Sequence, residues 1–89
     1  MLVRLTVQGI VQGVGFRFFV QKTALHYGLS GFVKNLQNGD VFIEAIGTQT
    51  KLNLFIEEIE VGNRFSDVRN VKIEFDSIEK DFDDFKIAY

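Results

Sequence analysis

Eighty-nine residues with no Cys, no Pro, no Trp and a net charge of −2 leave room for one small domain and close off several chemistries. Ten Phe in a 46% hydrophobic composition supply one core, and a chain of this size buries roughly 60% of its unfolded surface. Without Cys there are no disulfides or thiolate nucleophiles, and the single His26 would leave a zinc site to carboxylates. No metal and no cofactor are therefore expected. The slightly acidic balance provides no general field for nucleic acid. Nothing reads as a signal peptide or a bilayer span, so a cytoplasmic location without membrane partners is the expectation.

Charge is unevenly placed. After Arg4, the first forty residues carry Arg17, Lys22 and Lys34 against Asp40 alone, while acidic residues gather in "IEEIE" and "SIEKDFDDF". An anion site thus belongs in the first half.

In chain order, "LVRLTVQG" alternates, with Val3, Leu5 and Val7 on the more apolar face, and predicts a strand. A stretch containing Gly9, Gly13 and Gly15 follows. In "FRFFVQKTALHYG", Phe16, Phe19, Val20, Thr23, Ala24 and Tyr27 recur at helical spacing, and Gly28 is placed to stop the helix. The Phe16, Phe18 and Phe19 cluster is expected to pack in the core. "LSGFVKNLQNGDVFIEAIG" predicts two strands around a tight Asn38-Gly39 turn.

A second helix follows in "TQTKLNLFIEEIEVG", burying Leu52, Phe55, Ile56 and Ile59 and stopping at Gly62. "NRFSD" is a connector. "VRNVKIEF" alternates as a strand with Val71, Ile73 and Phe75 on one face. "SIEKDFDD" is a polar loop without the ligand spacing of a calcium loop, and "FKIAY" is a short final strand.

The order β-α-β-β-α-β plus a terminal strand predicts an α+β fold: one domain, residues 1–89, in the ferredoxin-like split βαβ arrangement. Two helices would lie on one face of an antiparallel sheet ordered 4-1-3-2, with the short C-terminal strand at an edge. The first two strands then run in the same direction. Residues near Gly13 and Asn35, about twenty positions apart, are brought to one end of the sheet.

A strand, a glycine-rich turn and a helix start make a natural anion receptor, because the first helical N–H groups lack intrahelical partners. Glycines let consecutive amides point inward as a nest. Arg17, a cation in the first helical turn, opposes the helix dipole unless an anion lies between it and the amides. From spacing alone, a plain strand-to-helix turn with a solvated Arg17 stands equally open. Neither a P-loop nor the dinucleotide fingerprint fits these glycine spacings.

"GIVQGVGFR", Gly9 to Arg17, resembles the first signature of the acylphosphatase family, and "GFVKNLQNGDVFIEAIG", Gly31 to Gly47, resembles its second. The resemblance covers essentially the whole chain. It implies the ferredoxin-like fold and hydrolysis of the carboxyl–phosphate anhydride of acyl phosphates. It differs from many animal members at Gly15, where a bulkier residue is common, at Ile10, where arginine is frequent, and at Phe32, where many have tryptophan. None of these positions is expected to carry chemistry.

On that resemblance Arg17 and Asn35 form the catalytic pair. Phosphate binding falls to Arg17 and the backbone amides of Val11, Gln12, Gly13, Val14, Gly15 and Phe16. Asn35 is expected to orient the attacking water, since an amide is too weak a base to deprotonate it. The expected partners are a small-molecule acyl phosphate and inorganic phosphate, the latter as product and competitive inhibitor, with the protein a monomer. The alternative is a non-catalytic anion-binding or regulatory module on the same fold. An RNA reader would want exposed aromatics and a basic sheet face, and "LTVQGIV" has no aromatic. The similar loop of hydrogenase-maturation carbamoyltransferases belongs to proteins that continue into Cys-rich segments.

Overall fold

The computed structural model describes residues 1–78 and 80–89; Glu79, in the predicted polar loop, lies outside the described residues. The elements are β1 (Leu2–Ile10), α1 (Phe16–His26), β2 (Ser30–Asn35), β3 (Val41–Ile46), α2 (Gln49–Val61), β4 (Asp67–Asp76) and β5 (Phe85–Ala88). They form one sheet in the order β4-β1-β3-β2-β5.

Strands β1 to β4 take the expected 4-1-3-2 order, with β1 antiparallel to β3 and β4 and β2 antiparallel to β3. The sheet is nevertheless mixed, not antiparallel throughout, because β5 lies parallel to β2, Gly31 opposite Phe85 and Lys34 opposite Ala88. Alternation in "FKIAY" tells which side chains face inward but carries no information on strand direction. The chain leaves β4 at one edge and reaches the other, with Lys80 meeting Glu44 and Phe82 meeting Phe32 on the way.

Period-two alternation puts Val3, Leu5 and Val7 of β1 beside Ala45, Ile43 and Val41 of β3, all fully buried. Val33 of β2 and Phe85 of β5 extend that face. Phe16, Val20 and Ala24 of α1 and Leu52, Phe55, Ile56 and Ile59 of α2 close over it, so both helices cover one side of the sheet. Fully burying each Val, Leu, Ile or Phe contributes about 1.5–3 kcal/mol. Phe19 and Tyr27 are only partly buried against this core. Val71, Ile73 and Phe75 do face the core side, opposite Val7, Leu5 and Val3, yet Ile73 and Phe75 remain 40% and 44% exposed. An edge strand has a neighbour on one side only.

On the opposite side of the sheet Arg4 bridges Asp76 at 3.2 Å and Glu44 at 3.1 Å. Hydrogen bonds to Asp76 and Glu44 raise the Arg4 guanidinium above its ordinary pKa. The Ile78 backbone N–H, aided by Arg4, holds the Asp76 carboxyl below its ordinary value.

The tight two-residue turn is corrected to a five-residue loop, Leu36 to Asp40, closed by Leu36 N–H to the Asp40 carbonyl at 2.9 Å. Only Gly39 takes a positive φ there. The Asn38 side chain instead accepts the Asp40 N–H at 3.0 Å, a local bond that Asn makes readily without going left-handed. Gly9 also proves to serve the sheet. The β1–β4 register shifts between Gln8 and Gly9, and a Cβ on Gly9 would collide with the Asp67 carbonyl.

Candidate active site

Since β1 and β2 both run antiparallel to β3, and β5 runs parallel to β2, all three point the same way. Their C-terminal ends meet at one end of the sheet, around a cavity of about 190 Å³. Val11, Gly13, Gly15, Phe16 and Arg17 enter it from the loop and first turn of α1, Asn35 from the end of β2, and Ile87 and Tyr89 from β5 and its last residue. The space is below the roughly 300–1,000 Å³ of drug-sized ligand sites and suits a small group.

Helix α1 begins without a side-chain cap. Gly15 occupies the N-cap position in the left-handed conformation, φ 73° and ψ 18°, and no acidic residue stands in the first turn. Phe19 N–H to the Gly15 carbonyl, 3.1 Å, is the first bond of the helix. The N–H groups of Gly15, Phe16, Arg17 and Phe18 therefore have no intrahelical acceptor. Gly13 shares the φ of 73°. Two left-handed glycines so close in sequence turn the backbone into the kind of amide-lined concavity that receives anions.

Arg17 is held in place from β5. Its Nη1 donates to the Ala88 carbonyl at 3.3 Å, and its guanidinium carbon lies 4.6 Å from the centre of the Tyr89 ring. Among the described residues no carboxylate pairs with it. A planar guanidinium with one edge engaged keeps further N–H donors for a bidentate anion.

Asn35 is the last residue of β2 and pairs with Val41, which places it on the helix-covered side of the sheet. Its Oδ1 is buried and has no hydrogen-bond partner among the described residues. A buried carbonyl oxygen needs a donor, and at this position a water O–H reaching it from the cavity could supply one.

Of the other residues assigned from sequence, Gln12 and Val14 are not in the cavity wall. The Gln12 side chain turns to the loop between β2 and β3, its Nε2 donating to the Leu36 and Asp40 carbonyls at 2.8 Å each. It thereby ties the glycine loop to the segment that follows Asn35. The Val14 carbonyl accepts from Asn63 Nδ2 at 2.9 Å. Phe18, expected in the core, is 64% exposed at the rim of the cavity. It follows buried Phe16 by two residues, so the helix turns it to the opposite face.

Sequence reasoning missed Gln12 as a side-chain tether, Asn63 in the supposed connector, and the contribution of β5. A glutamine amid glycines and β-branched residues was the available sign for the first. The others depend on contacts at sequence separations of 49 and 71 residues. Among the described residues no three His, Asp or Glu side chains converge as metal ligands would.

A glycine loop, an uncapped helix and a facing Asn thus stand at one end of the sheet. The acylphosphatase family model matches residues 3–87. The chain belongs to the acylphosphatase family. An acylphosphatase of Geobacillus kaustophilus is 44% identical over 87 residues, covering 98% of this chain and 93% of that protein. The crystal structure of the Bacillus subtilis acylphosphatase superposes with a TM-score of 0.97 at 40% identity, each chain covered completely. The Coxiella burnetii acylphosphatase gives 0.92 at 37% identity, covering 98% of this chain and 90% of that one. An acylphosphatase fold thus accounts for the mixed sheet, β5 included.

Proposed function

We propose that this chain hydrolyses acyl phosphates to carboxylate and inorganic phosphate by direct attack of water. The family supports the reaction, and the observation that carries the mechanism is the Asn35 Oδ1, buried and without a partner among the described residues, facing the same cavity as an uncapped helix N-terminus. The loop and helix amides from Val11 to Phe16, with Arg17, bind the phosphoryl oxygens. They stabilise the charge that spreads over those oxygens in the transition state. Asn35 accepts a hydrogen bond from the water and aims its oxygen at phosphorus, opposite the leaving group.

The new P–O bond forms as the P–O bond to the acyl group breaks. The bonding pair leaves with the carboxylate, and a phosphoryl oxygen takes the water's proton. Carboxylate is a good leaving group, so no acid is needed to protonate it. The reading requires no metal: the cavity lining offers N–H donors and a guanidinium for an anion. The working form is a monomer in the cytoplasm. The exposed outer edge of β4 carries Arg69, Lys72 and Glu74, charges of the kind that discourage edge-to-edge pairing.

Release of phosphate from acetyl or benzoyl phosphate in the presence of a chelator tests the proposal. Turnover should survive chelation and be competitively inhibited by inorganic phosphate. Folded protein that binds phosphate without turnover above background would instead make it an anion-binding module.

A further inference from the structure

Asn63 belongs to no motif, yet it is built into the back of the glycine loop. Gly62 ends α2, and the next four residues form a closed turn. Asn63 N–H donates to Ser66 Oγ at 2.9 Å, and Ser66 returns its N–H at 3.2 Å and its hydroxyl at 3.0 Å to the Asn63 carbonyl. With its backbone clamped, the side chain reaches across 49 residues of sequence to donate Nδ2 to the Val14 carbonyl at 2.9 Å. The same nitrogen lies 3.9 Å from where a Cβ on Gly15 would sit. Its Oδ1 is buried with no partner among the described residues.

The geometry points to Asn63 as a positioning residue for the anion cradle, an inference that rests on the phosphate-binding reading above. The Val14–Gly15 peptide is trans. In a planar trans peptide the carbonyl and the following N–H point in opposite directions. Holding the Val14 carbonyl toward α2 and its loop therefore turns the Gly15 N–H the other way, and, Gly15 being a residue of the cavity wall, that N–H is assigned to the cavity. Without the bond, rotation about ψ of Val14 and the permissive φ of Gly15 lets this peptide turn and withdraw the donor. Only the amide nitrogen does this work.

The test compares Asn63→Leu, similar in size and uncharged but lacking the donor, with Asn63→Ala, both assayed well below their melting temperatures. Readouts are the Kd of inorganic phosphate, kcat and KM for acetyl phosphate, and the Gly15 amide resonance during phosphate titration. A misplacement of about 1 Å can cost on the order of a hundredfold. Both variants should therefore lose about ten- to a hundredfold in kcat/KM, weaken phosphate binding, and blunt the Gly15 amide shift. Whichever variant stays folded suffices. Lowered melting temperature with phosphate Kd, kcat/KM and the Gly15 shift all within twofold of wild type would overturn the proposal, leaving Asn63 a purely structural residue. If wild type binds phosphate through Gly15 in an Asn63-dependent way but shows no turnover, the hydrolytic reading falls and the positioning role stands. No phosphate binding by wild type overturns both.

Discussion

The two helices begin in opposite ways. At α2, Thr48 sits in an extended conformation, φ −71° and ψ 153°, and its hydroxyl accepts the Lys51 N–H at 3.3 Å. At α1, Gly15 sits left-handed and offers no side chain at all. Both first turns contain a cation, Lys51 in one and Arg17 in the other, and neither contains an acid. A positive charge at a helix start is therefore not what distinguishes the site. The difference lies in what the amides face. In α2 a side chain answers one of them. In α1 they open with Gly13 and Asn35 onto a cavity, and the cation is held from outside by the Ala88 carbonyl.

Substitutions at the two helix starts should accordingly have different currencies, activity at one and stability at the other. The largest effect is expected for Arg17→Gln, which removes the charged fork. In steady-state assays kcat/KM should fall about a thousandfold, and calorimetric phosphate binding should be lost with it. Asn35→Ala should lower kcat about a hundredfold by misdirecting the water, with phosphate affinity largely kept. Parallel loss of both would show that Asn35 binds phosphate instead of positioning water.

At the other helix, Thr48→Ala should cost about 1 kcal/mol. For a domain of this size that lowers Tm by about 4–8 °C, with kcat/KM unchanged. A loss of turnover there would erase the contrast between the helices. The smallest effect belongs to the far face of the sheet. Asp76 has its pKa held below the ordinary 3.8, so its contribution to stability is full above that value and lost as pH falls through the depressed folded value. In urea titrations Asp76→Asn should flatten this acid limb without altering turnover at neutral pH.

Much of the fold was legible locally. Stripes at 3.6-residue spacing in "FRFFVQKTALHYG" and "TQTKLNLFIEEIEVG" identified both helices, because a helix face must bury what it presents to the sheet. Alternation identified the strands, and right-handed crossovers then limited how the first four pair. Where burial is one-sided the same pattern said less: Ile73 and Phe75 alternate like core residues yet lie on an edge. The Asn38-Gly39 dipeptide marked the hairpin but not its length, because the Asn38 side chain took over a backbone bond.

What this sequence determined by itself was the local chemistry: glycines that permit left-handed turns, an arginine at a helix start, an asparagine at a strand end, and the periodicities that order them. Those depend on steric freedom and hydrogen-bonding capacity within a few residues. Only the tertiary structure decided that β5 lies parallel to β2 and grips Arg17, that Gln12 ties the loop to the hairpin, and that Asn63 holds the Val14 carbonyl. Each joins groups far apart in the chain, and such a contact is selected by the closing of the whole core, on which no single segment carries information.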